Sequence, residues 1–234
     1  MLIGGFQKSS LIDFKGKIAA IVFLQGCNFS CPYCHNPELV IPMLAHPVFE
    51  DEIFAFLKTR INKLDGVVIS GGEPTIHKGL DEFIKKIKDM GFAIKLDTNG
   101  TNPSVVQDLL DKKLLDYIAM DIKTSINHYK NVVRREVNLD NIKKSMELIV
   151  NSGIDYEFRT TVVKELMSFS DFEEINKMFK SLAKEGKIKR YYLQKFQKSK
   201  HVDENFLNAT TFEDDEFNKL EEMFKQTVDF VMVR

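Results

Sequence analysis

Strand-length apolar runs alternate with stretches of helical period along most of the 234 residues, and this alternation restricts the fold more than any other feature. The strand candidates are 18–24 (Ile-Ala-Ala-Ile-Val-Phe-Leu), 66–70, 92–97, 116–121, 155–163 and 190–196, with a short C-terminal strand at 228–233. Ile53, Leu57, Ile61 and Leu64 mark one helix face; Leu80, Phe83, Ile84 and Ile87 mark a second that stops at Gly91. Asn102-Pro103 opens a short helix, because Pro fits the first helical position. Leu139, Ile142, Met146 and Ile149 form another stripe, ended near Gly153. Ser170-Asp171-Phe172-Glu173 reads as a capping box for the stripe Phe172, Ile175, Phe179 and Leu182, and a last helix covers 212–225. Strands alternating with helices make βαβ units and hence a parallel sheet. Six units fall short of a closed eight-unit barrel, which takes about 250 residues. The pattern alone leaves a partial barrel and an open doubly wound sheet both standing. Residues 1–17 read as an N-terminal extension, with a hairpin across Lys8-Ser9-Ser10, and 18–234 as one domain.

Apolar residues make up 44% of the chain, enough for a sizeable core. The net charge of −1, with acids and bases interspersed, gives no sign of a nucleic-acid groove or a basic membrane surface. No apolar run approaches the roughly 18 residues of a membrane-spanning helix, and residues 1–8 lack the basic-then-apolar order of a signal peptide. The expected compartment is the cytoplasm.

All three cysteines fall in Gly26-Cys27-Asn28-Phe29-Ser30-Cys31-Pro32-Tyr33-Cys34-His35-Asn36-Pro37, directly after the first strand. An odd number of clustered thiols is no disulfide framework. Thiolates are the usual ligands of iron–sulfur clusters, and three on one loop suit three corners of a cubane. The missing fourth cysteine leaves one iron open to a ligand, by the logic of an under-coordinated catalytic metal. Rival readings are a zinc site with His35 as fourth ligand, C-x-x-C-H haem attachment, a Cys31–Cys34 redox dithiol, and inert buried thiols.

Other chemistry-bearing segments also end strands. Ser70-Gly71-Gly72-Glu73-Pro74-Thr75 carries two glycines that allow close backbone approach and a carboxylate suited to an ammonium group; the plain alternative is a Gly-rich turn. Asp97-Thr98-Asn99-Gly100 and Asp121-Ile122-Lys123 read otherwise as a turn and a surface ion pair. Arg159 stands among apolar neighbours in the fifth strand and Gln194 in the sixth. His46, His77, His128 and His201 share no spacing and read as loop histidines. Segments 26–37, 70–75, 97–100 and 121–123 all follow strand C-termini, the edge where parallel α/β folds place ligands.

The C-x3-C-x-aromatic-C loop resembles the signature of the radical S-adenosylmethionine (SAM) superfamily. Cys34-His35-Asn36-Pro37 resembles its glycyl-radical-enzyme activating branch, and the likeness covers roughly residues 9–196. Ser10 to Asp13 and Gly16 are similar to the group that activates anaerobic ribonucleoside-triphosphate reductase, although Lys15 stands where that group has Pro. The resemblance implies an α/β fold: a partial (β/α)6 TIM-like barrel of parallel strands with an N-terminal extension. It implies Cys27, Cys31 and Cys34 as ligands of a [4Fe–4S] cluster, and no catalytic side chain beyond them. SAM would meet Tyr33 at the adenine, the run Gly71, Gly72, Glu73 and Pro74 at its amino group, and Asp97, Thr98, Asn99, Asp121, Lys123, Arg159 and Gln194 elsewhere, with a monovalent cation near its carboxylate. The implied reaction is reductive cleavage of SAM to a 5′-deoxyadenosyl radical, which makes a glycyl radical on a partner. That partner would be anaerobic (class III) ribonucleoside-triphosphate reductase, and a flavodoxin or ferredoxin would donate the electron. Two other readings stay open: a small-molecule enzyme like 7-carboxy-7-deazaguanine synthase, and a non-catalytic zinc or iron–sulfur module. The polar segment 197–212 is expected to be mobile alone and to contact the partner.

Overall fold

The computed structural model describes residues 1–40, 48–183, 186–198 and 203–234. β1 (Ile3–Ser10) pairs antiparallel with β2 (Ala19–Leu24). α1 (Glu50–Lys58) then leads to β3 (Gly66–Gly71), α2 (Leu80–Asp89) to β4 (Ala93–Thr98), and α3 (Pro103–Asp111) to β5 (Tyr117–Asp121). α4 (Tyr129–Val133) and α5 (Leu139–Asn151) precede β6 (Asp155–Val162). α6 (Phe169–Ala183) precedes β7 (Ile188–Lys195), and α7 (Asp214–Phe224) precedes β8 (Val228–Val233). The eight strands form one sheet in sequence order, and every pair from β2 to β8 is parallel. Among the described residues β1 and β8 do not pair, so the barrel stays open. The C-terminal strand thus extends the expected six parallel strands to seven.

The strands alternate apolar outward residues with mixed inward ones, and the helices cover the outer face. Ala20, Val22, Leu24, Ile69, Leu96 and Phe158 belong to the main core with the apolar stripes of the helices. Phe158 stacks on Phe179 of α6 at 5.4 Å, Phe179 meets Tyr191 at 4.9 Å, and Tyr191 meets Phe224 of α7 at 4.7 Å. Such ring pairs add about 0.5–1.5 kcal/mol each beyond the area they bury. Inside the barrel a smaller cluster of Phe14, Ala19, Ile21, Val68, Tyr117 and Ala119 fills one part of the concave face. No helix among the described residues is long and apolar enough to cross a membrane.

Local expectations needed correction in three places. Lys8, Ser9 and Ser10 lie inside β1, and the chain reverses over 11–18 instead. There the Ser10 hydroxyl accepts from the backbone N–H of Ile12 (3.2 Å) and of Asp13 (3.3 Å) and donates to Asp13, and Gly16 takes the left-handed φ of +70°. α6 is closed by Ser168: its backbone N–H donates to Asp171 Oδ2 at 2.9 Å and its hydroxyl to the same oxygen at 3.0 Å. The capping contact therefore runs from Ser168 to Asp171, two residues earlier than a box from Ser170, with the hydroxyl as donor. Ile61 is 43% exposed, because α1 ends at Lys58 before the stripe can return to the core.

Candidate active site

Two glycines bring the second motif onto the cysteine loop. Gly71 takes φ +119°, and a Cβ there would lie 2.3 Å from the backbone of Leu24; at Gly72 it would lie 2.0 Å from the Gly26 carbonyl. Only glycine tolerates this approach. It lets Gly72 N–H donate to Leu24 O and Glu73 N–H to Gly26 O, both at 2.9 Å. The end of β4 is tied to the loop as well. Asn28 donates to Thr101 Oγ1 (2.7 Å) and accepts from Asn99 Nδ2 (2.8 Å).

The result is one cavity of ≈ 460 Å³ at the C-terminal ends of the strands, within the usual span of small-molecule sites. Cys27, Cys31, Cys34 and Tyr33 line it, with Gly71, Gly72, Asp97, Thr98, Asn99, Asp121, Lys123, Arg159 and Gln194 around them. Thirteen of the fifteen residues picked out in the sequence therefore meet in one place. Glu73 and Pro74 lie buried behind the wall. Glu73 is 0% exposed, and its carboxylate is spent internally. It accepts from Thr75 N–H (3.1 Å), Thr75 Oγ1, Thr98 Oγ1 (2.7 Å) and Asn99 N–H (2.6 Å). Burial raises its pKa above the usual carboxylate range, and the four donors pull against that rise. Glu73 thus pins β3 to β4 and is not placed to meet an ammonium group in the cavity.

The charged wall is organised by register. Asp121 of β5 sits beside Arg159 of β6 in the parallel ladder. Arg159 Nε donates to Asp121 Oδ1 at 2.8 Å and its Nη1 to Asp97 Oδ2 at 3.4 Å, while Lys123 Nζ donates to Asp121 Oδ2 at 2.9 Å. Burial opposes charge on Asp121, but Arg159 and Lys123 outweigh it and hold the carboxyl well below its ordinary range. Asp97 is also lowered: burial opposes, and Arg159 and Lys95 prevail. Lys123 is raised despite burial, mainly by Asp121.

Burial pushes the thiol pKa of Cys27 up to about 12 and that of Cys31 up to about 11, and it raises Cys34 too. Buried thiols stay protonated unless a metal displaces the proton. No group of three or more His, Cys, Asp or Glu among the described residues is arranged to hold a single ion. Three thiols on one loop that line the same cavity suit three corners of an iron–sulfur cluster. His35 is exposed, and its Nε2 lies 3.2 Å from the Gln197 carbonyl.

Several groups escaped the sequence reading. Lys95, Glu157 and Arg234 join the inner-face network: Lys95 Nζ lies 3.3 Å from Asp97, and Arg234 Nη2 donates to Glu157 at 3.2 Å. The odd-numbered polar residues of β6, against even ones that are apolar but for Thr160, carried a signal for Glu157. His128 bonds Asp171 at 2.6 Å, His77 follows a short 3-10 turn, and His46 and His201 lie outside the described residues. Within 197–212, residues 199–202 also lie outside them. The rest of that segment is anchored: Asp203 N–H donates to Pro32 O (3.1 Å), Arg134 binds Asp203 (2.6 Å), and Ala209 and Phe212 are buried.

The profile of the family described as Radical SAM superfamily matches residues 21–182. A protein of Methanocaldococcus jannaschii, named as a candidate glycyl-radical enzyme activating enzyme, is 34% identical over 100% of this chain and 95% of its own length. The pyruvate formate-lyase-activating enzyme of Clostridium pasteurianum is 28% identical over 70% of this chain and 69% of its own. Among solved structures, Streptococcus suis SuiB bound to S-adenosylmethionine superposes with a TM-score of 0.67 at 14% identity, over 92% of this chain and 51% of that one.

Proposed function

Because the chain belongs to the radical SAM superfamily, we propose that it activates a glycyl-radical enzyme in the cytoplasm, and that the partner is anaerobic ribonucleoside-triphosphate reductase. The observation that carries this reading is the meeting of all three cysteines with the Asp97–Asp121–Lys123–Arg159 network in one cavity. The full-length likeness to a candidate glycyl-radical enzyme activating enzyme supports the class of partner. The choice of reductase rests on Ser10 to Asp13 and Gly16.

A [4Fe–4S] cluster, when bound, supplies one electron to the sulfonium of SAM, so that a C–S bond breaks to give methionine and a 5′-deoxyadenosyl radical able to take a hydrogen atom from a glycine Cα. Cys27, Cys31 and Cys34 would hold the cluster as thiolates. Gly71 and Gly72 keep side chains out of the space beside the loop, where a ligand's amino group can reach backbone. Arg159 and Lys123, fixed by Asp97 and Asp121, present a rigid cationic wall to a carboxylate. A monovalent cation would lie against Asp97, Thr98 and Asp121. The Tyr33 ring and Gln194 complete the enclosure, which limits water around the reactive carbon. A flavodoxin or ferredoxin would deliver the electron.

The test is to mix the reconstituted, reduced protein with SAM and anaerobic ribonucleotide reductase and to record the EPR spectrum. A glycyl-radical signal on the reductase is expected. A signal on a different glycyl-radical enzyme and none on the reductase would reassign the partner. SAM cleavage with no protein radical on any such enzyme would favour a small-molecule substrate.

A further inference from the structure

Asp171, in the first turn of α6, is 2% exposed and lies outside the ring of residues that line the cavity. Its two oxygens serve different segments. Oδ2 closes α6 by accepting from the Ser168 backbone N–H and hydroxyl. Oδ1 is turned to the segment that leaves β5. It accepts from Ser125 Oγ at 2.5 Å and Thr124 Oγ1 at 3.4 Å, and it lies 2.6 Å from His128 Nδ1. Burial opposes charge on Asp171, but the bonds from Ser125, Ser168 and His128 outweigh it and hold the carboxyl below its ordinary range. Capping a helix needs only the first of these two arrangements.

The second arrangement falls directly behind Lys123. Ile122, on one side of that residue, is held by β6: its N–H donates to Arg159 O at 2.8 Å and its carbonyl accepts from Thr160 Oγ1 at 2.7 Å. Thr124 and Ser125, on the other side, are buried and held by Asp171. Lys123 thus hangs between two anchors, with its N–H on Tyr129 Oη at 3.3 Å and its Nζ in the cavity beside Asp121. A lysine carries its charge on a flexible four-carbon stem, so the head group is only as well placed as the backbone beneath it and the partner that receives it. Asp121 is the partner, and Asp171 secures the backbone.

We propose that Asp171 is a positioning residue: through Ser125 it fixes the backbone that carries Lys123, and so sets the affinity of the cavity for the carboxylate of SAM. The proposal rests on the reading of Lys123 as part of the cationic wall that meets that carboxylate.

The test is equilibrium dialysis of SAM against the reconstituted protein and its variants. Asp171→Ala should raise the SAM dissociation constant about tenfold, roughly the loss of one charge-assisted hydrogen bond. Ser125→Ala, which keeps the cap of α6 intact, should weaken SAM binding in the same direction and carries the test if Asp171→Ala does not fold. Ser168→Ala removes a donor from the other oxygen; it should lower the melting temperature and leave SAM affinity unchanged. Lys123→Met alone should weaken SAM binding, and adding Asp171→Ala to it should weaken it no further, because both changes remove the same contact. Unchanged SAM affinity in Asp171→Ala and Ser125→Ala, or a full additional loss in the double variant, would overturn the proposal. So would a lower iron content in Asp171→Ala, which would place its effect in the cysteine loop. Wild-type SAM affinity in Lys123→Met alone would defeat the reading of Lys123 and, with it, this role for Asp171.

Discussion

Along β6 the chain sends Tyr156, Phe158 and Val162 to the helix side, where each is at most 2% exposed among other apolar groups. It sends Glu157, Arg159 and Thr161 to the concave side, where Arg159 bridges two carboxylates and Thr161 and Arg159 line the cavity. The two faces are built from the same backbone one residue apart, yet they obey different rules. The outer face gains from burial that is tolerant of detail, whereas the inner face holds charges whose positions are fixed by partners on neighbouring strands. Stability should therefore respond most to the outer face, and chemistry to the inner one.

The sharpest separation comes from the cysteine loop. Cys31→Ala should abolish iron uptake and all measurable SAM cleavage, while circular dichroism and the melting temperature before reconstitution stay close to wild type. A large loss of fold stability would erase the distinction between the faces. Phe158→Ala should do the reverse. Truncating this fully buried ring should cost about 3–5 kcal/mol in urea unfolding, with SAM affinity preserved at low temperature where the variant is folded.

Arg159→Met tests how far the inner face also contributes to stability. It leaves the partly buried Asp97 and Asp121 with only Lys95 and Lys123 beside them and should cost up to about 3 kcal/mol near neutral pH. Both carboxyls have depressed folded pKa values, so the stabilisation is complete above their unfolded value near 4 and is lost as pH falls through the folded values. Urea midpoints of wild type and variant should therefore converge as the solution is acidified. A gap that stays constant or widens would show that Arg159 acts through packing. The smallest effect belongs to the exposed pair Lys85–Asp89 on α2, where Asp89→Asn should change stability by less than about 0.5 kcal/mol.

The outer face was legible in the sequence because its information is periodic and local. Stripes such as Ile142, Met146 and Ile149 are buried where their spacing places them. The cysteine loop and the strand-end motifs were legible because each is contiguous and ends a strand. What escaped depends on pairing between distant segments. Arg234 meets Glu157 across 77 residues, and Lys95 reaches the Asp13 carbonyl across 82. Glu73 shows a different failure. Its motif gives the residue type but not the direction of the side chain, which two close-approach glycines and the β4 end turn inward. The reversal at 11–18 was misplaced because Lys8-Ser9-Ser10 looks like a turn until strand β2 is there to pair with it.

The most direct measurement is made without any partner: reconstitute the protein anaerobically with iron and sulfide, reduce it, add SAM, and quantify 5′-deoxyadenosine. The cysteine-lined cavity predicts 5′-deoxyadenosine together with methionine, and none from the Cys27→Ala, Cys31→Ala or Cys34→Ala proteins. A wild-type protein that carries a full, reducible cluster and yields no 5′-deoxyadenosine would contradict the enzyme reading and leave a metal-binding module in its place.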